Sequence, residues 1–357
     1  MDKRGWNQVD LTYVLGCTPK AVNLIINGKQ GISPAMSKAL GEAFELPPGL
    51  FADLQLSFEI AEAEEPNPNV GLRAQMMRNF PVREMIRRGW LPQNPKDLSE
   101  EIASFFEVSE TENIPYMPHA AKKTNYLSAE VPPPQLAWLF RVRHIAKSIS
   151  VPKYSVAKLR AALQQMQQLI AEPEEARHVP RILAECGVRF VIVESLPKSA
   201  IDGVCFWLSN DEPVIGMSMR RDQNDNFWFV LRHEIEHVLR GDGRDIDLGM
   251  VDLEIKQLAD DGGELPEAEQ IANAAAADFC VLQTKFQSFL KRKKPFYYEK
   301  DVIAFAKVNN THPGLVAGQL QYATGRYDYL TNLQCKIRNH VLPNAIVDGF
   351  KQTVPLN

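Results

Sequence analysis

The sequence has no apolar run that approaches the roughly 18 residues needed for a membrane-spanning helix. Its first ten residues are polar and lack the apolar core of a signal peptide. The five cysteines lie far apart and form no CxxC pair, as is typical of proteins in a reducing cytosol. We therefore expect a cytoplasmic protein with no membrane partner. Any metal site should use histidine and carboxylate ligands.

A large excess of one charge is also missing, because 40 Lys and Arg stand against 44 Asp and Glu, for a net charge of −4. A net charge this small and negative does not draw a protein onto nucleic acid or anionic lipid. Hydrophobic residues make up 45% and charged residues 24% of the chain, as in ordinary globular proteins. A chain of 357 residues with this composition is long enough for two or three domains.

Residues 1–64 are predicted to form a run of short helices. Thr18 and Pro19 are suited to a helix N-cap and to the first helical position, and Asn27 stands where that helix should end. Another short helix is predicted on the other side of a turn at Gly16. Two short helices separated by a glycine-containing turn indicate a helix-turn-helix.

The rest of the chain divides by composition. Residues 70–174 are mostly helical and have no chemical motif, and they either couple the two ends of the chain or form a homodimer interface. Residues 175–357 begin with β-rich stretches and continue with helices. The β-rich stretches are 188–193, 203–208 and 214–219. We therefore expect an α+β chain with a small three-stranded sheet in its C-terminal domain.

The motif HExxH occurs at His233-Glu234-Ile235-Glu236-His237. On a helix, histidines at positions i and i+4 stand one turn apart on one face, where both can reach one ion. Glu234 lies between them and can polarise a metal-bound water as general base, since the metal lowers that water's pKa toward about 7. Flanking apolar residues predict a buried helix over about 226–240, closed by Gly241.

A catalytic site of this kind needs a third protein ligand. Glu269 is the best candidate, because the small residues after it allow its helix to pack closely on the HExxH helix. Asn273, one turn further on, faces the same side and could hydrogen-bond a ligand imidazole. Glu264 and Glu267 compete for the ligand role, and the alternative for Glu269 is a solvated helix N-terminus.

Residues from about 187 onward resemble the ImmA/IrrE family of metallopeptidase domains. The matching stretches are GVRFVIVESLPKSAIDGVCFWLSNDEPVIGMSMRRDQNDNFWFVLRHEIEHVLRG, EQIANAAAADF and HPGLVAGQLQ. The resemblance implies a zincin-like domain in which His233, His237 and Glu269 bind the metal and Glu234 is the base. It also implies cleavage of a regulatory protein partner, such as a repressor or an antitoxin-like protein.

His312 belongs to the last of these stretches. An imidazole facing the cleft could stabilise the developing oxyanion, and the alternative is a histidine that caps a helix starting at Pro313. For the metal, two imidazoles and a carboxylate favour Zn2+. Mn2+ or Fe2+ suit the same ligands.

Residues 4–55 resemble the XRE-class, antitoxin-type helix-turn-helix through RGWNQVDLTYVLGCTPKAVNLIINGKQGISPAMSKALGEAFELPPGLFADLQ. The resemblance places the second helix of the pair in the major groove. Candidate contacts with bases or phosphates are Thr18, Lys20, Asn23, Asn27 and Lys29.

Charge argues against DNA binding by this module. Residues 1–64 hold five Lys and Arg against eight Asp and Glu, and phosphate neutralisation supplies most non-specific DNA affinity. Operator DNA nevertheless stays one candidate partner of this module, because of the resemblance to the helix-turn-helix. The alternatives are a dimerisation module and a module that now recognises a protein.

Three functions are compatible with these residues. The first is a metallo-endopeptidase fused to a helix-turn-helix, which cleaves a regulatory protein to control transcription, stress or phage response. The second is a DNA-binding, antitoxin-type regulator whose metal domain is a sensor or scaffold without turnover. The third is an interaction protein with a relict HExxH motif.

Overall fold

A computed structural model describes residues 4–65, 69–109, 132–242, 250–251 and 266–354. The chain divides into two compact units, Met1–Gly71 and Leu72–Asn357. Its described part is mixed α+β, as the sequence predicts. None of the described helices is by itself long and apolar enough to cross a membrane.

Short helices build the first unit. They are α1 (Gln8–Leu15), α2 (Pro19–Ile26), α3 (Pro34–Phe44) and α4 (Leu50–Glu62). The chain bends by 115° between α1 and α2, and Gly16 permits this turn because it adopts a φ of 61°. Thr18 caps α2, since its side chain accepts the backbone N–H of Ala21 at 3.3 Å. Each of the first three helices contributes a buried side chain to a small core: Leu11, Val22 and Leu40.

The next six helices lie in the second unit, except for the first three residues of the first of them. They are α5 (Asn69–Asn79), α6 (Val82–Arg87), α7 (Leu98–Phe105), α8 (Pro133–Ser148), α9 (Val156–Gln167) and α10 (Val179–Glu185). Helix α8 packs on the sheet, where the indole N–H of Trp138 donates to the carbonyl oxygen of Val193 at 2.7 Å. The structure therefore groups most of residues 70–174 with the C-terminal domain instead of separating them.

The sheet has five strands in the described part of the chain. They are β1 (Arg189–Val193), β2 (Gly203–Trp207), β3 (Pro213–Met217), β4 (Met250–Val251) and β5 (Ile346–Asp348), in the order β4-β2-β3-β1-β5. Strand β1 runs parallel to β3 and β5, whereas β2 is antiparallel to β3 and β4. The three central strands are those predicted. The expected three-stranded sheet is wrong in number, because both edge strands are too short to show a periodic pattern.

The remaining helices are α11 (Asn224–Arg240), α12 (Glu267–Cys280), α13 (Gln283–Lys293), α14 (Glu299–Val308), α15 (Pro313–Thr324) and α16 (Arg338–Val341). Alternating strand residues face two different cores. Ile192 and Ile215 lie in the core that contains α11, whereas Val191 and Val214 lie in the core that contains α8. The HExxH motif is therefore on a helix packed against one face of the sheet.

Candidate metal centre

Helix α11 is fixed by its buried apolar side chains, among them Phe227 and Trp228, each 1% exposed. It ends at Gly241, whose φ of 77° forms a left-handed C-cap. The spacing of one helical turn places His233 and His237 on the same buried face, with exposed fractions of 1% and 2%. The helix and its end are as predicted from the sequence.

Helix α12 brings Glu269 to both imidazoles. Oε2 of Glu269 is 3.2 Å from Nε2 of His233, and Oε1 is 3.4 Å from Nε2 of His237. The two Nε2 atoms are 3.0 Å apart. The structure thus brings together the three side chains predicted as metal ligands, and they are the one such group found among the described residues.

Small side chains let α12 approach α11 closely, as expected. Ala272 and Ala276 are fully buried. Glu267, the neighbouring competitor for the ligand role, is exposed to solvent, and Glu264 lies outside the described residues. Of the two candidate acids that the structure describes, Glu269 is therefore the one against the histidines.

Each ligand imidazole has an oxygen acceptor behind it. Nδ1 of His233 is 3.0 Å from Oδ1 of Asn273, and Nδ1 of His237 is 3.0 Å from Oδ2 of Asp242. With acceptors at both Nδ1 atoms, the ring N–H groups point outward and the Nε2 lone pairs point into the shared space. The contact of Asn273 with His233 is as predicted, whereas the contact of Asp242 with His237 was not predicted from the sequence.

The position of Asp242 follows from the helix cap. Beyond Gly241 the chain turns back, so that the backbone N–H of Asp242 donates to the carbonyl oxygen of His237 at 3.0 Å. Nε of Arg240 donates to the Asp242 carboxylate at 3.2 Å, and the indole N–H of Trp207 donates to its carbonyl oxygen at 2.9 Å. A carboxylate directly after the capping glycine of an HExxH helix is a signal that could have identified this residue.

The donor geometry fits a tetrahedral cation. Two lone pairs only 3.0 Å apart repel each other unless a proton or a cation lies between them. Ligands at about 2.0–2.1 Å from a tetrahedral zinc ion are about 3.3 Å from one another. The separations of 3.0, 3.2 and 3.4 Å among His233, His237 and Glu269 are close to that value.

Charge at the group is strongly coupled. Burial opposes ionisation of Glu269, but when the imidazoles of His233 and His237 are protonated, their hydrogen bonds to Glu269 outweigh it and lower the pKa of Glu269 to about 2. Burial also opposes protonation of His237, yet Glu269 and the nearby Glu234 raise the pKa of that histidine. The negative charges of Glu269 and Glu234 thus favour positive charge at this group.

Comparisons of this chain with protein-family models, with curated proteins and with solved structures find no match. The chemical interpretation of the group therefore depends on its side-chain geometry. The geometry also includes Glu234, the acid that the sequence predicts as the general base.

Glu234 lies on α11 between the two histidines and is 1% exposed. Its carboxylate approaches the first residue of β2, since a Cβ atom at Gly203 would lie 2.6 Å from Oε1 of Glu234. Glycine at this position therefore leaves the space that the carboxylate occupies. The acid is held close enough to the ligands for its charge to act on His237.

His312 is a helix cap in the structure. Its Nδ1 accepts the backbone N–H of Gly314 at 3.0 Å and is 2.9 Å from Nδ2 of Asn224. Asn224 begins α11 and is nine residues before His233, or about 13 Å along the helix axis. Burial lowers the pKa of His312. The geometry favours the capping alternative and does not bring His312 to the ligand group.

The candidate DNA contacts all lie on the surface of the first unit. They are Thr18, Lys20, Asn23, Asn27 and Lys29. Two of them also shape α2, because Thr18 caps its start and Nδ2 of Asn27 donates to the carbonyl oxygen of Asn23 at 2.8 Å. Their exposure leaves them accessible to a partner.

Proposed function

We propose that this chain is a metal-dependent endopeptidase in which His233, His237 and Glu269 hold one Zn2+ ion. The observation that supports it is the convergence of three donors within 3.0–3.4 Å, with both imidazoles oriented by Asn273 and Asp242. Three protein ligands leave a coordination position open, which is typical of catalytic rather than structural zinc sites. Mn2+ or Fe2+ are the alternatives on the same donors.

Glu234 is the proposed general base. A zinc ion on these ligands supplies Lewis acidity toward a water molecule and a peptide carbonyl oxygen. Glu234 accepts a proton from the water as the water oxygen attacks the carbonyl carbon. It then gives that proton to the amine nitrogen as the C–N bond breaks. Asn273 and Asp242 keep the two imidazoles oriented throughout.

The class of substrate follows from the resemblance of the C-terminal domain to the ImmA/IrrE family. That resemblance favours a zincin-like domain and a regulatory protein as substrate, a repressor or an antitoxin-like partner. Cleavage would control transcription, stress or phage response. A buried HExxH helix packed on a mixed sheet supports the assignment of a zincin-like domain.

The activity is tested with the purified full chain, loaded with zinc and incubated with the protein encoded by the neighbouring gene. Wild type should cleave this partner at a defined bond, and Glu234→Gln should abolish cleavage while retaining the metal. Equal cleavage by wild type and Glu234→Gln would rule out the proposed mechanism.

Metal content separates the ligands from their neighbours on α12. Glu269→Gln should lose most of the bound zinc, because it removes the only charged ligand. Glu267→Gln is the matched control, since Glu267 lies on the same helix turn but is exposed, and it should retain zinc at the wild-type level. Equal zinc content in the two variants would remove Glu269 from the site.

A second candidate function is DNA binding by the first unit. The bend of 115° between α1 and α2 is within the range of helix-turn-helix pairs, and the five candidate contacts are exposed. In this alternative the chain is an antitoxin-type regulator that binds operator DNA and uses the metal domain as a sensor or scaffold.

Lys20 and Lys38 offer a matched comparison for DNA binding. Both are exposed, but Lys20 is on α2 and Lys38 is on α3. Lys20→Gln should weaken binding to the chain's own promoter and reduce the salt slope by about one, whereas Lys38→Gln should bind as wild type. DNA binding that persists in Glu234→Gln, with no cleavage by wild type, would favour the regulator.

A further inference from the structure

A cleft of about 590 Å³ lies at one edge of the sheet, between α6 and the segment that follows β5. Its lining includes Arg87 and Arg88 from the end of α6, Glu194 after β1, and residues 348–353. Helix α6 belongs to the core on the opposite face of the sheet from α11. The cleft is therefore distinct from the candidate metal centre.

The cleft is at the carboxyl ends of parallel strands. Strands β1 and β5 are parallel neighbours, with Val193 paired to Asp348 at their ends. In sheets with parallel strands, ligands commonly bind outside this edge, where the loops diverge. A cleft of this volume is also within the usual range for small-molecule sites.

Positive charge in the cleft exceeds its local compensation. The guanidinium of Arg88 donates to two backbone carbonyl oxygens, those of Glu194 at 2.5 Å and Ser195 at 2.9 Å. Its ion pair with Glu84 is long, at 3.8 Å, because that carboxylate also binds Arg87 at 2.5 Å. Glu84 thus serves two arginines, and the charge of Glu194 also acts on both of them. Burial lowers the pKa of Arg88, and the charges of Glu194 and Glu84 oppose that shift.

The acids that line the cleft have other partners. Asp348 forms a buried ion pair with Arg141 at 2.6 Å and accepts the indole N–H of Trp90 at 2.7 Å. Oε2 of Glu194 accepts the backbone N–H of Phe350 at 2.7 Å. The neutral N–H leaves the charge of Glu194 in place, whereas Arg141 balances the charge of Asp348. Three cations, Arg87, Arg88 and Lys351, therefore stand against two acids, Glu84 and Glu194.

The segment after β5 has an unusual backbone that forms one wall of the cleft. Gly349, Phe350 and Lys351 all have positive φ, at 102°, 50° and 70°. Left-handed conformations in successive non-glycine residues are costly and concentrate at functional sites. Paired backbone hydrogen bonds between Gly349 and Gln352, each 2.8 Å, hold this turn and keep the exposed Lys351 at the cleft.

We propose that this cleft binds a small organic phosphate. Arg87, Arg88 and Lys351 supply donors and charge for the phosphate group, since arginine and lysine are the usual partners of that anion. The volume leaves room for an attached organic group beside the Phe350 segment. The proposal is independent of peptidase activity and of the metal.

Binding is measured by calorimetry on the full chain at constant ionic strength, with inorganic phosphate, adenosine monophosphate and adenosine as probes. Phosphate and the monophosphate should bind saturably, and adenosine should not. Arg87→Gln and Lys351→Gln should each weaken binding by about tenfold, the loss expected for one charge-assisted hydrogen bond. Both side chains are exposed, so the variants should remain folded.

Two controls decide the location of the probe. Arg83→Gln, an exposed arginine one turn earlier on α6 that is not part of the cleft lining, should bind within about twofold of wild type. Glu269→Gln should also bind normally, because it changes only the metal centre.

Four results would each overturn the proposal: absence of saturable binding, equal binding by all cleft variants, loss of binding in Glu269→Gln, or equal affinity for adenosine. Binding of inorganic phosphate alone would contradict the organic ligand.

Discussion

Nδ1 of His237 lies 3.0 Å from Oδ2 of Asp242, so a carboxylate outside the ligand group fixes the orientation of a ligand imidazole. Loss of such a partner typically lowers metal affinity by about 10–100-fold. We therefore expect Asp242→Ala to bind zinc about 10–100-fold more weakly than wild type, as measured by competition with a chromogenic chelator.

The control for this variant is Asp328→Ala, which removes an exposed carboxylate from the same unit. It should bind zinc as wild type does. A similar affinity for Asp242→Ala and Asp328→Ala would show that His237 is oriented without Asp242.

The parts of the site that were predicted from sequence depend on local geometry. His233 and His237 share a helix face because of their spacing, and Asn273 follows Glu269 by one turn, so both relationships hold wherever the helices form. Asp242 was missed although it is also local, because the reversal of the chain at Gly241 was read only as a helix end.

The parts that were not predicted depend on contacts between distant segments. Strand β5 is three residues long and pairs with β1 more than 150 positions earlier, so no periodic pattern marks it. His312 was compatible with two roles from sequence. Its contact with Asn224, 88 positions away, favours the capping role.

Gly203→Ala should impair catalysis but not metal binding. The added Cβ would lie 2.6 Å from both Oε1 of Glu234 and Cγ1 of Val230, so the carboxylate and the Val230 side chain must both move. We expect the cleavage rate to fall by at least about tenfold, since a base displaced by an ångström loses much of its effect, while zinc content stays at the wild-type level.

Gly71→Ala is the control, because nothing lies within 4 Å of a Cβ at that position. Its cleavage rate should equal that of wild type. An unchanged rate in Gly203→Ala would mean that Glu234 does not need the space beside β2.

The metal-free protein should depend on pH through Glu269 and His237. The pKa of Glu269 is lowered from 4.5 to about 2, so its stabilising effect is complete above pH 4.5 and is lost as pH falls toward 2. The pKa of His237 is raised from 6.5, so its effect is complete below pH 6.5 and is lost as pH rises through the higher folded value. The two effects overlap between pH 4.5 and 6.5.

The measurement is the Tm difference between wild type and Glu269→Gln, both treated with chelator, at pH values below, within and above this range. The difference should be largest between pH 4.5 and 6.5 and should shrink on both sides. A difference that keeps growing toward alkaline pH would contradict the ionic contact between Glu269 and His237.

Asp348 should be among the acids on which the stability of the second unit depends most. It pairs with Arg141 at 2.6 Å, and the two side chains are 2% and 1% exposed. Asp348→Ala leaves the guanidinium buried without its counter-charge, which typically costs about 3–5 kcal/mol. Urea denaturation followed by tryptophan fluorescence should show this loss, because Trp90 donates to the same carboxylate.

The control is Asp328→Ala, which should change the free energy of unfolding by less than about 0.5 kcal/mol. A loss below about 1 kcal/mol in Asp348→Ala would mean that Arg141 finds another partner or water, and that the buried pair is not what joins α8 to β5.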